Sequence, residues 1–173
     1  MDPIALIGLP GAGKTTVGKL LARRLGLAFI DSDAAIEQQL GCSIRAFFEA
    51  QGEAAFRDVE SQVLHRLTEG EACVLSTGGG IVLRSENRDR LRATCRVGYL
   101  DASPEDLFRR LRHDGKRPLL QVDDPLARLR ALHAERAPLY RETAHITVEA
   151  GRARAAEVVE RLCAQLAAGP GSP

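Results

Sequence analysis

The chain has 173 residues, with 24 Lys and Arg against 23 Asp and Glu and a formal net charge of +1. That length suits one domain with its own core, and the near-neutral charge argues against a nucleic-acid or membrane-surface role. The four cysteines (Cys42, Cys73, Cys95, Cys163) form no C-x-x-C and no zinc-spaced cluster. No apolar run approaches the ~18 residues of a membrane span and no charged-then-apolar leader opens the chain, so a cytoplasmic protein with reduced thiols is expected.

In chain order, Ile4-Ala5-Leu6-Ile7 is an apolar run suited to a buried parallel strand. Gly8-Leu9-Pro10-Gly11-Ala12-Gly13-Lys14-Thr15 follows and matches G-x-x-x-x-G-K-S/T, a phosphate-binding loop. Glycines let the backbone curl so that successive N–H groups point at phosphate oxygens. In such a loop Gly11, Ala12 and Gly13 offer amides, Lys14 reaches the β- and γ-phosphates, and the Thr15 hydroxyl can ligate Mg²⁺. Thr16 to Leu25 reads as a helix with Val17, Leu20, Leu21 and Leu25 on one stripe and Gly26 as its stop. Phosphate would then sit at a helix N-terminus.

Ala28-Phe29-Ile30 is a short second strand leading into Asp31-Ser32-Asp33, and Ala34 to Leu40 is a helix ended by Gly41. Either Asp33 or Asp31 could cap that helix. Ser43 can cap a helix carrying Ile44, Phe47 and Phe48, and a longer helix runs from about Glu53 to Thr68 over Phe56, Val59, Val63, Leu64 and Leu67. Ala72 to Ser76 is a third strand, with Cys73 in its core, followed by Gly78-Gly79-Gly80. Arg96 to Leu100 is a fourth strand, and Ser103-Pro104 opens a helix with a cap and an N1 proline. His113 to Asp124 reads as a polar loop, Pro125 to Tyr140 as a helix, His145 to Val148 as a last strand and Ala153 to Ala167 as a closing helix. Residues 168–173 read as a disordered tail. His65, His113, His133 and His145 read as surface or structural residues, and Tyr99 and Tyr140 as packing residues.

Strands alternating with helices predict an α/β fold: a parallel five-stranded sheet flanked by helices on both faces. Ligands bind such sheets at the carboxyl ends of the strands. The phosphate loop, the Asp31/Asp33 pair and the Gly78–Gly80 turn all fall at strand ends and would converge on one crevice.

Together with Phe29-Ile30-Asp31-Ser32-Asp33, Ile36-Glu37, Phe56-Arg57-x-x-Glu60, Ser76-Thr77-Gly78-Gly79-Gly80, Arg117-Pro118-Leu119-Leu120 and Arg136-x-Pro138-Leu139-Tyr140, the chain resembles the shikimate kinase family over nearly its whole length. These are P-loop small-molecule kinases related to nucleoside monophosphate kinases. The resemblance implies one kinase domain over 1–167, with a mobile lid at about 112–124. It implies transfer of the γ-phosphoryl of ATP, with Mg²⁺, to the 3-hydroxyl of shikimate. It places Arg57 and Arg136 on the shikimate carboxylate, Asp33 at the reacting hydroxyl, the amides of Gly78, Gly79 and Gly80 against the substrate, and Glu60 as orienter of Arg57. On the spacing alone, Arg57 and Glu60 would be a solvated pair contributing at most ~0.5 kcal/mol.

The third strand ends in Ser76-Thr77, so the usual Walker B acid is missing and Asp31 is its substitute, acting on the metal through water. Lys14, Asp33 and Arg117 are the expected catalytic residues, with Arg117 reaching the phosphates from the lid. Arg110 and Arg154 are expected near the nucleotide, although the stretch Gly151-Arg152-Ala153-Arg154-Ala155 lacks the proline family members often place there. Nearby Arg57 and Arg136 would lower the pKa of Asp33. The expected partners are ATP and shikimate, and the expected state is a monomer. A kinase of another polyol acid, such as gluconate, is the nearest rival. A GTPase switch is disfavoured by the absence of N-K-x-D.

Overall fold

A computed structural model describes residues 1–113 and 121–169. The expected lid lies largely outside the described residues, Arg117 with it, as do residues 170–173 of the expected tail. Five strands form one parallel sheet: β1 (Ile4–Ile7), β2 (Ala28–Asp31), β3 (Cys73–Ser76), β4 (Arg96–Asp101) and β5 (Ile146–Glu149), in the order β2-β3-β1-β4-β5. Strands β1 and β3 are buried at every position, as continuous apolar runs in a covered parallel sheet should be. The edge strand β5 instead alternates buried and exposed. Because β1 is flanked by β3 and β4, a crevice opens at its carboxyl end, where the chain leaves for opposite sides of the sheet.

The flanking helices are α1 (Lys14–Leu25), α2 (Ser32–Leu40), α3 (Ile44–Gln51), α4 (Glu53–Thr68), α5 (Ser85–Thr94), α6 (Pro104–Leu111), α7 (Pro125–Thr143) and α8 (Ala155–Ala167). The main core joins the sheet to α1, α5, α6, α7 and α8. Ile36, Phe56 and Val63 form a smaller apolar cluster under α2, α3 and α4, closed by Phe47, Phe48 and Val59. The lobe carrying the acceptor-side residues of α4 thus has a core partly its own.

Several boundaries differ from those expected. Helix α2 begins at Ser32 rather than Ala34, and its cap is Asp31, not Asp33: Asp31 Oδ1 accepts the N–H groups of Asp33 at 2.9 Å and Ala34 at 3.2 Å. Helix α7 runs through Pro138 to Thr143. A proline there costs one helical hydrogen bond, a loss the packing of buried Leu129, Leu132, Ala137 and Tyr140 offsets. Helix α5 was not expected at all. Its sequence is mostly charged, and only Leu91 among its apolar side chains is fully buried, so no apolar stripe announces it. Its arginines act instead as caps. Arg92 donates to the carbonyls of Glu142, Thr143 and Ala144 at the end of α7, and Arg90 to His65 O and Thr68 Oγ1 at the end of α4.

His145 has a defined structural task. Its Nδ1 accepts the Val97 N–H at 3.0 Å while its own backbone N–H donates to Val97 O at 2.8 Å. Burial first, then the charges of Arg92 and Arg96, hold its pKa below the ordinary imidazole value. A depressed pKa means the unfolded chain takes up the proton more readily. The contribution is therefore present above about pH 6.5 and lost as the pH falls below it. Melting curves from pH 7.5 to 5 should show His145→Asn, whose Oδ1 can still accept from Val97 but does not titrate, losing less stability than the unsubstituted chain. The ring is partly solvent-exposed, so the difference should stay under ~1 kcal/mol. Parallel curves would exclude the imidazole as its source.

Candidate active site

The loop between β1 and α1 is built by backbone geometry. Gly11 and Gly13 have φ of 87° and 94°, a region L-residues rarely enter, and Gly13 is the residue from which α1 starts. Ala12 N–H closes on Leu9 O at 3.2 Å, and Lys14 Nζ folds along the loop to the carbonyls of Gly8 at 2.6 Å and Leu9 at 3.0 Å. The loop floors a cleft of about 460 Å³ lined by Gly11, Ala12, Gly13, Lys14, Thr15 and Thr16 together with Asp31, Asp33, Gly78, Gly79 and Arg110. That volume is within the range of small-molecule sites.

The nucleotide end is closed by Arg110. Its guanidinium donates to Gly11 O at 3.2 Å, to Ala150 O, and to Ala153 O at 3.4 Å, tying the phosphate loop to the segment after β5. Arg154 is exposed and heads α8. Its neighbours Ala153 and Ala155, with Ala150 and Val158, line the cleft in its place. These alanines were not picked out from the sequence. The family resemblance pointed to the segment after β5, but nothing marked small apolar residues there as walls.

At the other end the glycine turn is ringed by charge. A Cβ at Gly78 would lie 2.8 Å from Asp33 Oδ1 and 3.4 Å from Glu60 Oε2. At Gly79 it would lie 3.3 Å from Arg136 Nη1, and at Gly80 2.7 Å from Arg57 Cζ. A side chain at any of these three positions would push against these groups. Arg57 and Glu60 are not a surface pair: their side chains are 13% and 2% exposed, with Nη1 donating to Oε1 at 2.8 Å. Glu53, largely exposed, adds a looser contact with Arg57 at 3.5 Å. The Nε–H groups of Arg57 and Arg136 are buried and meet no acceptor among the described residues. Two such donors beside one turn suit a planar anion.

The electrostatics correct one expectation. The pKa of Asp33 is raised, not lowered: burial comes first, and the Asp31 charge adds to it, while Lys14 and Arg57 oppose them and Glu37 reinforces them. Glu60 is raised in the same way, by burial ahead of the opposing Arg57. Thr77, in the Walker B position, donates its hydroxyl to Leu6 O at 2.8 Å and so serves the sheet.

A phosphate loop and Asp33 lining one cleft, with two arginines packed at the glycine turn that borders it, define a P-loop kinase site. The shikimate kinase family model matches residues 10–167. The shikimate kinase of Paracidovorax citrulli is 58% identical over 94% of this chain and 91% of its own, and that of Ralstonia nicotianae is 51% identical over 94% and 86%. The structure of shikimate kinase from Acinetobacter baumannii in complex with shikimate superposes with a TM-score of 0.91 at 42% identity, covering 97% of this chain and 94% of that one. A gluconokinase from Sinorhizobium meliloti shares only the fold, with a TM-score of 0.61 at 20% identity. The chain belongs to the shikimate kinase family.

Proposed function

We propose that the chain carries out its family's reaction, transfer of the γ-phosphoryl of ATP to the 3-hydroxyl of shikimate on the route to aromatic amino acids, with the residue roles given below. The observation that supports these roles best is the ring of Asp33, Glu60, Arg57 and Arg136 around the glycine turn, in contact with the phosphate-loop cleft. Shikimate carries one carboxylate and three hydroxyls. Arg57, held by Glu60, and Arg136 bind the carboxylate through their planar forks. The amides of Gly78, Gly79 and Gly80 meet the ring substituents. Asp33, freed from capping by Asp31, faces this turn and orients the 3-hydroxyl.

Lys14 and the amides of Gly11, Ala12 and Gly13 hold the β- and γ-phosphates, Thr16 lies beside them, and Arg110 and the alanines after β5 border the base. By the family resemblance we also assign Arg117, which lies outside the described residues, to the phosphates. Phosphoryl transfer through a loose transition state needs positioning and charge neutralisation more than early deprotonation. Asp33 therefore takes the hydroxyl proton late, and its raised pKa suits it to hold that proton.

Mg²⁺ fits the residues present. Thr15 and Asp31 line the same cleft, and Asp31 spends only Oδ1 on its cap. No group of three or more His, Cys, Asp or Glu suited to a metal occurs among the described residues, as befits a cation carried mostly by phosphates and water. When bound, it would neutralise charge on the β- and γ-oxygens. No described helix is long and apolar enough to cross a membrane, and we place the protein in the cytoplasm as a monomer.

The test is ADP release from Mg·ATP with shikimate, with gluconate and without acceptor. Release dependent on shikimate alone is the expected result. Release with gluconate would overturn the acceptor assignments while leaving the phosphate-loop roles.

A further inference from the structure

Tyr140 is fully buried and stacks on Tyr99, with ring centroids 5.1 Å apart. It has the look of a packing residue. Its hydroxyl, however, donates to the carbonyl of Gly79 at 2.5 Å, from 61 residues further along the chain. A carbonyl oxygen and the N–H of the next residue share one rigid peptide plane. The bond to Gly79 O therefore sets the direction of the Gly80 N–H. The preceding planes of the turn are held from outside α7. Ser32 Oγ accepts the Gly78 N–H at 3.2 Å, and Gly78 O accepts the Ile81 N–H at 3.1 Å, which sets the Gly79 N–H. Among the described residues, the Gly79–Gly80 peptide is the plane of the turn bonded to α7. Arg136 lies one turn earlier on that helix, its Nη1 3.3 Å from where a Cβ on Gly79 would stand.

We propose that Tyr140 is a positioning residue for the acceptor: its hydroxyl holds the Gly79 carbonyl, and with it the Gly80 N–H, in register with Arg136 on the same helix. This rests on the acceptor assignment above. Tyr99, stacked behind Tyr140 and bonded to Asp101 Oδ1 at 3.1 Å, keeps the ring in place but touches neither Arg136 nor the turn through a hydrogen bond. The hydroxyl of Tyr140, not its ring, is then the part that acts on the substrate site. Among the described residues no hydrogen bond runs from it to Arg110 or the phosphate loop, which are held by other bonds.

The experiment compares the unsubstituted protein with Tyr140→Phe and Tyr99→Phe, both of which keep the stacked rings. Steady-state KM for shikimate, KM for ATP and the melting temperature are measured on each, and the Gly80 amide resonance is followed during shikimate titration. Tyr140→Phe should raise the shikimate KM about tenfold and shift the Gly80 amide, with the ATP KM within about twofold. Tyr99→Phe should leave the shikimate KM unmoved. An unchanged shikimate KM in Tyr140→Phe overturns the inference. So does a parallel rise in both KM values with a lowered melting temperature, or an equal effect from Tyr99→Phe. Absence of shikimate-dependent turnover in the unsubstituted protein overturns the acceptor reading itself, and this inference with it.

Discussion

Asp33→Asn lowers kcat with shikimate by about 10²- to 10⁴-fold, the range general-base residues cover, while the affinity for ADP stays within about twofold. The substitution is nearly isosteric, so the packing against Gly78 survives. The asparagine can still accept a hydrogen bond from the hydroxyl but cannot take its proton. Removing the carboxylate also removes its unfavourable burial beside Asp31, so stability should hold or rise slightly. That combination separates chemistry from folding. Single-turnover kinetics with saturating shikimate measure it directly. A loss confined to KM would show that Asp33 only binds, and would move the proton to solvent.

Gly80→Ala gives a folded protein whose KM for shikimate rises about 10- to 100-fold, as expected when a charge-assisted hydrogen-bonded pair of about 1.5–3 kcal/mol is lost. The added methyl would occupy the place of the Arg57 guanidinium, whose Cζ lies 2.7 Å from the Cβ position. The clash is with the far end of a flexible side chain rather than with backbone, and no positive φ is involved, so the chain yields by moving Arg57. Arg57 cannot move far without leaving Glu60 buried and unpaired, which adds to the cost. Isothermal titration with shikimate, paired with ADP titration as a control, would show the loss at one end of the cleft alone. Unchanged shikimate affinity would mean that Arg57 is not on the carboxylate.

The two ends of the cleft were legible to different degrees. The phosphate loop could be read whole, because its strand, glycines, lysine and helix are contiguous and each has a local reason to be there. The acceptor end could be named only through the resemblance. Arg57 and Glu60 at i and i+3 look like any solvated pair until burial is known, and burial comes from the second apolar cluster and the glycine turn, far off in sequence. The pKa of Asp33 runs against the sequence expectation for the same reason. Counting nearby arginines captures the Coulomb effect but not desolvation, which depends on everything packed around the carboxylate. Helix α5 escaped notice because its stability comes from arginines capping the ends of α4 and α7, not from an apolar stripe. Tyr140 read as packing because a hydroxyl's partner 61 residues away leaves no trace in the local pattern.

By itself, the sequence determined the alternation of strands and helices, the nucleotide loop and the strand ends from which the site is built. These follow from backbone conformation and apolar periodicity, which act over a few residues. Only the tertiary structure decided which aspartate caps α2 and which faces the acceptor, which arginines are buried, and which peptide planes of the glycine turn are held. Those depend on desolvation and on contacts between distant segments, which exist only once the sheet has brought its strand ends together.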